Sequence, residues 1–232
     1  FATSSPSRSR RATRPTAAGT RRLAMNTYRP VAFLGDRTHR GGPLPVDLPP
    51  VPDGVETVTV RLTASDDWGR EMQQRDAVTT LLSRMQPDDL VLLCDADEIA
   101  DPRKLDEILA ATVHRPCKLA MRLWYYGTRW RAPDWWAHPA ACRARDLPEH
   151  PSLRLRLSGW PAVVDAGWHI SWTGSDEDRS AKISAFAHSE LDNPQGRAAV
   201  AYGAAHGLDP HGRPLLDDPL TGPLMEVLHA AS

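Results

Sequence analysis

The stretch LVLLCDADEIADP, Leu90 to Pro102, decides how this chain is read. Four aliphatic residues and Cys94 run straight into Asp95, Asp97 and Glu98. An unbroken apolar run of this length reads as a strand covered on both faces, the signature of a parallel sheet in an α/β domain. Asp101 and Pro102 read as the N-cap and first residue of a helix. Leu105, Ile108, Leu109 and Val113 form its apolar stripe. The three acids stay unexplained by the strand and the helix. Crowded carboxylates repel one another, and a bound cation removes that cost where solvation only reduces it.

Working outward, Arg29 to Gly35 and Thr57 to Thr63 read as strands, the second rich in β-branched residues. Asp66 and Asp67 are caps for a helix starting near Trp68. Val78, Leu81, Leu82 and Met85 give it one apolar face, and Pro87, Asp88 and Asp89 end it. The first half is therefore β-β-α-β-α, a layered α/β pattern. Downstream, Lys118 to Tyr126 reads as a strand, and Arg129 to His138 as an aromatic, basic loop or hairpin. Leu153 to Leu157, LRLRL, alternates like a half-exposed strand, and Val163 to Trp172 is another strand. Asp178 to Leu191 reads as a helix with Ile183, Phe186, Ala187 and Leu191 inward. The expected organisation is a disordered basic tail over 1–27, one domain over 28–202, and an irregular, lid-like extension over 203–232.

Composition narrows the function classes. The 232 residues are 41% hydrophobic, enough for one core. The 28 basic and 29 acidic residues nearly cancel, so no global field points to nucleic acid or a membrane surface. No apolar run is long enough for a transmembrane helix. Cys94, Cys117 and Cys142 lack paired spacing, which argues against a zinc knuckle or disulfide framework and fits a reducing compartment. The opening stretch from Phe1 is rich in arginine and free of acids, like a transit peptide, a basic arm or a non-native leader. With no signal or anchor in view, the expectation is a bacterial-type cytoplasmic protein.

Three chemistries place carboxylates after an apolar strand. A P-loop NTPase needs a G-x-x-x-x-G-K-[ST] partner, which is absent. A haloacid-dehalogenase-type phosphatase carries D-x-D-x-[TV] near its start; here Ile99 holds the Thr/Val place and the motif lies mid-chain. A nucleotide-sugar glycosyltransferase uses a D-x-D beyond a buried strand, where α/β sheets bind ligands. Its carboxylates hold Mn²⁺ or Mg²⁺, hard cations that take oxygen ligands.

Further stretches line up in order with the third chemistry. DADEI (Asp95 to Ile99), GWHISW (Gly167 to Trp172) and KISAFAHSE (Lys182 to Glu190) together resemble glycosyltransferase family 17. That family contains the β-1,4-mannosyl-glycoprotein β-1,4-N-acetylglucosaminyltransferases. WGREMQQR (Trp68 to Arg75) and VAFLGDRTHRGGPL (from Val31) are similar to its early helix and strand. The likeness spans Val31 to Asn193. Ala96 and Ala100 stand where the family usually has Val and Pro, and neither change removes a ligand. The family's opening strand has no counterpart here, so weakened donor binding is expected.

The resemblance implies a GT-A-like fold with a mixed, mostly parallel central sheet. It also implies a UDP-sugar donor, a glycan or glycoconjugate acceptor, and inverting transfer of a hexose such as N-acetylglucosamine. On this reading Asp95, Asp97 and His169 are the metal ligands. Glu98 or Glu190 is the base that deprotonates the acceptor hydroxyl. Lys182 and His188 grip the diphosphate, and Arg75 reaches the nucleotide. Trp130, Trp135 and Trp136 offer flat faces for a sugar, and Trp168 closes the site beside Gly167 and His169. Two other classes stay open: a Mg²⁺-dependent phosphatase or nucleotidyltransferase using the same acids, and a truncated, non-catalytic glycan binder.

Overall fold

The structure is a computed structural model that describes residues 29–44, 51–222 and 224. The basic tail falls outside the described residues. Strands β1 (Val31–Gly35) and β2 (Glu56–Val60) form a parallel pair. Helix α1 (Asp67–Asp76) follows, its first turn capped by Asp66, which accepts from the Gly69 amide at 2.8 Å. A 3-10 helix, Ala77–Arg84, continues it. In that tighter winding Val78 and Leu81 eclipse and are buried, whereas Leu82 turns outward at 38% exposure.

The quoted stretch supplies β3 (Leu90–Leu93) and a short β4 (Glu98–Ala100). Asp101 then caps a 3-10 turn over Pro102–Lys104 that leads into α2 (Leu105–Ala111). Strands β5 (Cys117–Tyr125), β6 (Trp130–Trp136) and β7 (Ala140–Arg143) come next, then β8 (Ala162–Ser171). Helices α3 (Asp176–Ala185) and α4 (Pro194–His206) and the edge strand β9 (Leu216–Asp217) complete the order. The sheet runs β3-β7-β5-β6-β9, with β8 on the other side of β5 and β4 beyond β8.

This sheet corrects the expected parallel architecture. Within it only β5–β8 is parallel, and the other pairs are antiparallel. The apolar run nevertheless means what it implied about burial. Val91 and Leu93 pack into one cluster with Val78, Ala140 and Leu155. Leu90 and Leu92 pack against a second cluster around Ile108, Leu119 and Met121. Two-sided burial dictates an unbroken apolar run whichever way the neighbouring strand points.

Three local expectations also change. Ser152–Arg156 is a π-helical turn and not a strand; Ser152, Leu155 and Arg156 go inward, and Leu153 and Leu157 go out. The helix expected to reach Leu191 stops at Ala185, because Phe186 turns extended and lays its ring edge-on to Trp172. The stretch from Gly203 finishes α4, and further on Leu216 and Asp217 add β9 to β6. Asn193 and Pro194 at the start of α4 and left-handed Gly207 at its end are standard helix boundary residues.

One irregularity positions the site. Between Val164 and Trp168, β8 bulges against β5, with Asp165 at φ 57° and Gly167 at φ 155°. A Cβ on Gly167 would lie 2.1 Å from the Ile99 carbonyl oxygen. Glycine is therefore what lets β4 and its acidic loop lie against β8, with Glu98 opposite His169.

Candidate functional site

Beyond the end of β3 the three acids separate into two environments. Asp95 is clamped by two arginines. Arg75, on α1, donates from Nε to Oδ1 at 2.9 Å and from Nη2 to Oδ2 at 2.7 Å. Arg156 donates to the same Oδ2 at 2.9 Å. Glu98 is buried at 5% exposure and holds Arg156 at both oxygens, 2.9 and 3.1 Å. It also accepts from Trp136 Nε1 at 2.6 Å and from the Asp95 amide at 2.6 Å. Burial works against the charge on Asp95, but Arg75 and Arg156 outweigh it and hold the carboxyl below its ordinary range.

Arg156 reaches these acids through the π-helical turn. Lys118 anchors that turn: its buried ammonium donates to the carbonyls of Leu155 at 3.0 Å and Arg156. Burial and the neighbouring Arg156 lower the Lys118 pKa to about 8.

Asp97 lies in the second environment. Its Oδ2 meets His169 Nε2, Lys182 Nζ and Ser171 Oγ, each at 3.3 Å. Lys182 Nζ lies 3.4 Å from Ser171 Oγ as well. Burial opposes ionisation, yet the His169 hydrogen bond and the Lys182 charge hold the Asp97 carboxyl well below the usual range. Oδ1 carries no hydrogen bond among the described residues, and 31% of the side chain faces solvent. The Asp95 side chain is about as exposed, at 29%, so what sets Asp97 apart is its free oxygen.

A divalent cation fits part of the expected ligand set. Adjacent ligands around an octahedral ion at about 2.1 Å lie about 3 Å apart, close to the Asp97–His169 spacing of 3.3 Å. Asp95 does not join them, because both its oxygens are taken by guanidiniums. Among the described residues no group of three acidic, histidine or cysteine ligands converges. His169 Nδ1 is buried without a partner, whereas a ligating imidazole ordinarily has its second nitrogen held. The donor set therefore suits an ion held mainly by Asp97, flanked by His169 and completed by phosphate and water oxygens.

The remaining candidates scatter. His188 Nδ1 lies 2.7 Å from Glu190 Oε1, with the His188 ring edge-on to Trp68 at 4.7 Å. Trp136 is committed to Glu98 and packs on His169, with ring centroids 4.7 Å apart. Trp135, its strand neighbour, points the other way and lies under Arg122. Trp130 packs against Gly207 under Arg129. The three do not form one platform. Trp168 likewise faces away from His169, into a polar cavity of about 180 Å³ lined by Arg103, Arg122, Asp165 and Asp218. Sequence reasoning missed Arg156, Ser171 and Trp68. Compared with protein-family models, curated proteins and solved structures, the chain finds no match.

Proposed function

We propose that this chain is a nucleotide-sugar glycosyltransferase of GT-A-like fold. It moves a hexose, N-acetylglucosamine by the family resemblance, from UDP to a glycan hydroxyl with inversion. The observation that carries the reading is the contrast at the end of β3. Asp95 and Glu98 are neutralised by Arg75 and Arg156, whereas Asp97 keeps a free oxygen beside an ammonium, an imidazole and a hydroxyl. A leaving diphosphate needs positive charge and hydrogen-bond donors where its own charge develops. Lys182 has three N–H donors, spends two on Asp97 and Ser171, and keeps one for a phosphate oxygen. A divalent ion held at Asp97 beside His169 would neutralise the diphosphate as it leaves. The partly buried Asp95–Arg75–Arg156–Glu98 network holds the loop that presents Asp97.

The same geometry disfavours the phosphatase alternative. An aspartyl-phosphate route needs a free carboxylate nucleophile. Asp95, the first acid of the motif, is doubly clamped. The test is incubation with a panel of UDP-sugars and Mn²⁺, reading UDP release. Metal-dependent release that disappears in Asp97→Asn is the expected result. Phosphate release from a simple monoester would support the phosphatase reading. Sugar binding without turnover would support a glycan binder.

A further inference from the structure

Resting on the glycosyl-transfer reading, we infer that His188 is the base that takes the proton from the acceptor hydroxyl, and that Glu190 orients it. Glu98 cannot do this work, since it is buried, saturated with donors and paired with Arg156. His188 has the opposite surroundings. Its Nδ1 faces Glu190 Oε1 at 2.7 Å, while Nε2 has no hydrogen bond among the described residues and 40% of the side chain is exposed. A carboxylate on Nδ1–H leaves the lone pair on Nε2, the arrangement of an oriented general base. The ring is also held in place. Trp68 meets it edge-on at 4.7 Å from α1, and Phe186 lies 5.0 Å away at the end of α3.

Position supports the role. Trp68, Glu71 and Arg75 fall at i, i+3 and i+7, on one face of α1. Trp68 touches His188 at one end of that face, and Arg75 holds Asp95 at the other. At 1.5 Å rise per residue the two ends are about 10 Å apart. His188 and the acidic loop thus border the same face of α1. Between Lys182 and His188 runs an aromatic wall. The Lys182 ammonium lies 5.4 Å from the Trp172 ring, Trp172 lies 5.5 Å from Phe186, and Phe186 lies 5.0 Å from His188. Trp172 is buried in the core, so this chain of rings fixes the spacing of Lys182 and His188.

In the transfer step, the acceptor oxygen bonds to the anomeric carbon as its proton passes to His188 Nε2. The bond from that carbon to the phosphate oxygen breaks, and UDP leaves with the electron pair. Glu190 stabilises the imidazolium, which then loses its proton to solvent. Partial burial works against the charge on Glu190, but the His188 hydrogen bond holds its carboxyl below the ordinary range, with His211 adding to the effect.

The experiment measures UDP release from UDP-N-acetylglucosamine, with UDP binding followed separately by calorimetry. His188→Ala is expected to lower release by about a hundredfold or more while leaving UDP affinity within about threefold. Added imidazole should restore part of the rate. Glu190→Gln should lower kcat by about tenfold with KM unchanged. His188→Gln, which fills the same space, should be as slow as His188→Ala and bind UDP normally. Unchanged turnover in the His188 variants would overturn the inference. So would parallel loss of UDP binding, which would make His188 a donor-gripping residue. A wild-type chain that neither binds UDP nor releases it from any UDP-sugar overturns the transfer reading itself, and the base with it.

Discussion

Asp95 and Asp97 are two residues apart and live in different physical regimes. Asp95 belongs to a partly buried network in which Arg75 and Arg156 hold it and Glu98, with Glu71 sharing Arg75. Asp97 shares one oxygen among three donors and keeps the other free among the described residues. A saturated carboxylate can only hold structure. An accessible one with spare valence can bind something that arrives. On the proposed glycosyl-transfer reading, the D-x-D motif supplies one scaffold acid and one working acid.

This contrast can be broken from the scaffold side first. Arg156→Leu strands the fully buried Glu98 and leaves Asp95 to Arg75 alone. It should cost about 3–5 kcal/mol of stability by chemical denaturation. A loss below about 1 kcal/mol would mean that the network is not holding the loop. On the working side, Asp97→Asn should cut turnover by about a hundredfold or more and lower stability near neutral pH by less than Arg156→Leu does. Equal damage to stability from both variants would erase the distinction. Lys182→Met should weaken UDP binding by about tenfold, leaving the melting temperature nearly unchanged.

Acid should address both carboxylates together. The folded-state pKa values of Asp95 and Asp97 lie below those of the unfolded chain. As pH falls, the unfolded chain takes up these protons first. Their stabilisation is therefore complete above about pH 5 and fades below about pH 4 as the folded-state values are approached. Thermal melts across that range should show the decline, and Asp97→Asn should make it shallower. The smallest effect is expected at Trp135→Ala, which removes an exposed ring under Arg122 and should cost about 0.5–1 kcal/mol. It should leave turnover intact, because Trp135 faces away from Asp97.

Much of this was legible in the sequence, and the failures have physical causes. Leu90 to Leu93 announced two-sided burial, and Asp66 and Asp101 announced their caps. Strand direction was not legible, since an apolar run records cover and not the polarity of its neighbour. LRLRL satisfies a period of two as well as a turn that buries Leu155 and Arg156 side by side, and the Pro151 before it was the available hint of the turn. The acids were found, but their inequality was not. It depends on Arg75 and Arg156, far apart in sequence and brought together by folding. Trp68 was read only as a helix start, although its i, i+3, i+7 relation to Glu71 and Arg75 marked a shared face. The missed α4 had its Asn-Pro start and Gly end in plain view.

The π-helical turn at Ser152–Arg156 makes the segment sensitive to residue count as well as residue type. A π-turn holds one residue more than an α-turn. An extra residue inserted beside Leu153, whose own side chain is exposed, exceeds what the widened turn already takes up. Each residue of helix rotates its side chain by about 100°, so Arg156 would swing away from Asp95 and Glu98. Substitutions at 153 should be nearly silent, while a one-residue insertion there should be as damaging as loss of the arginine. For this loop, spacing is a heritable trait in its own right, and insertions should be purged where point changes are tolerated.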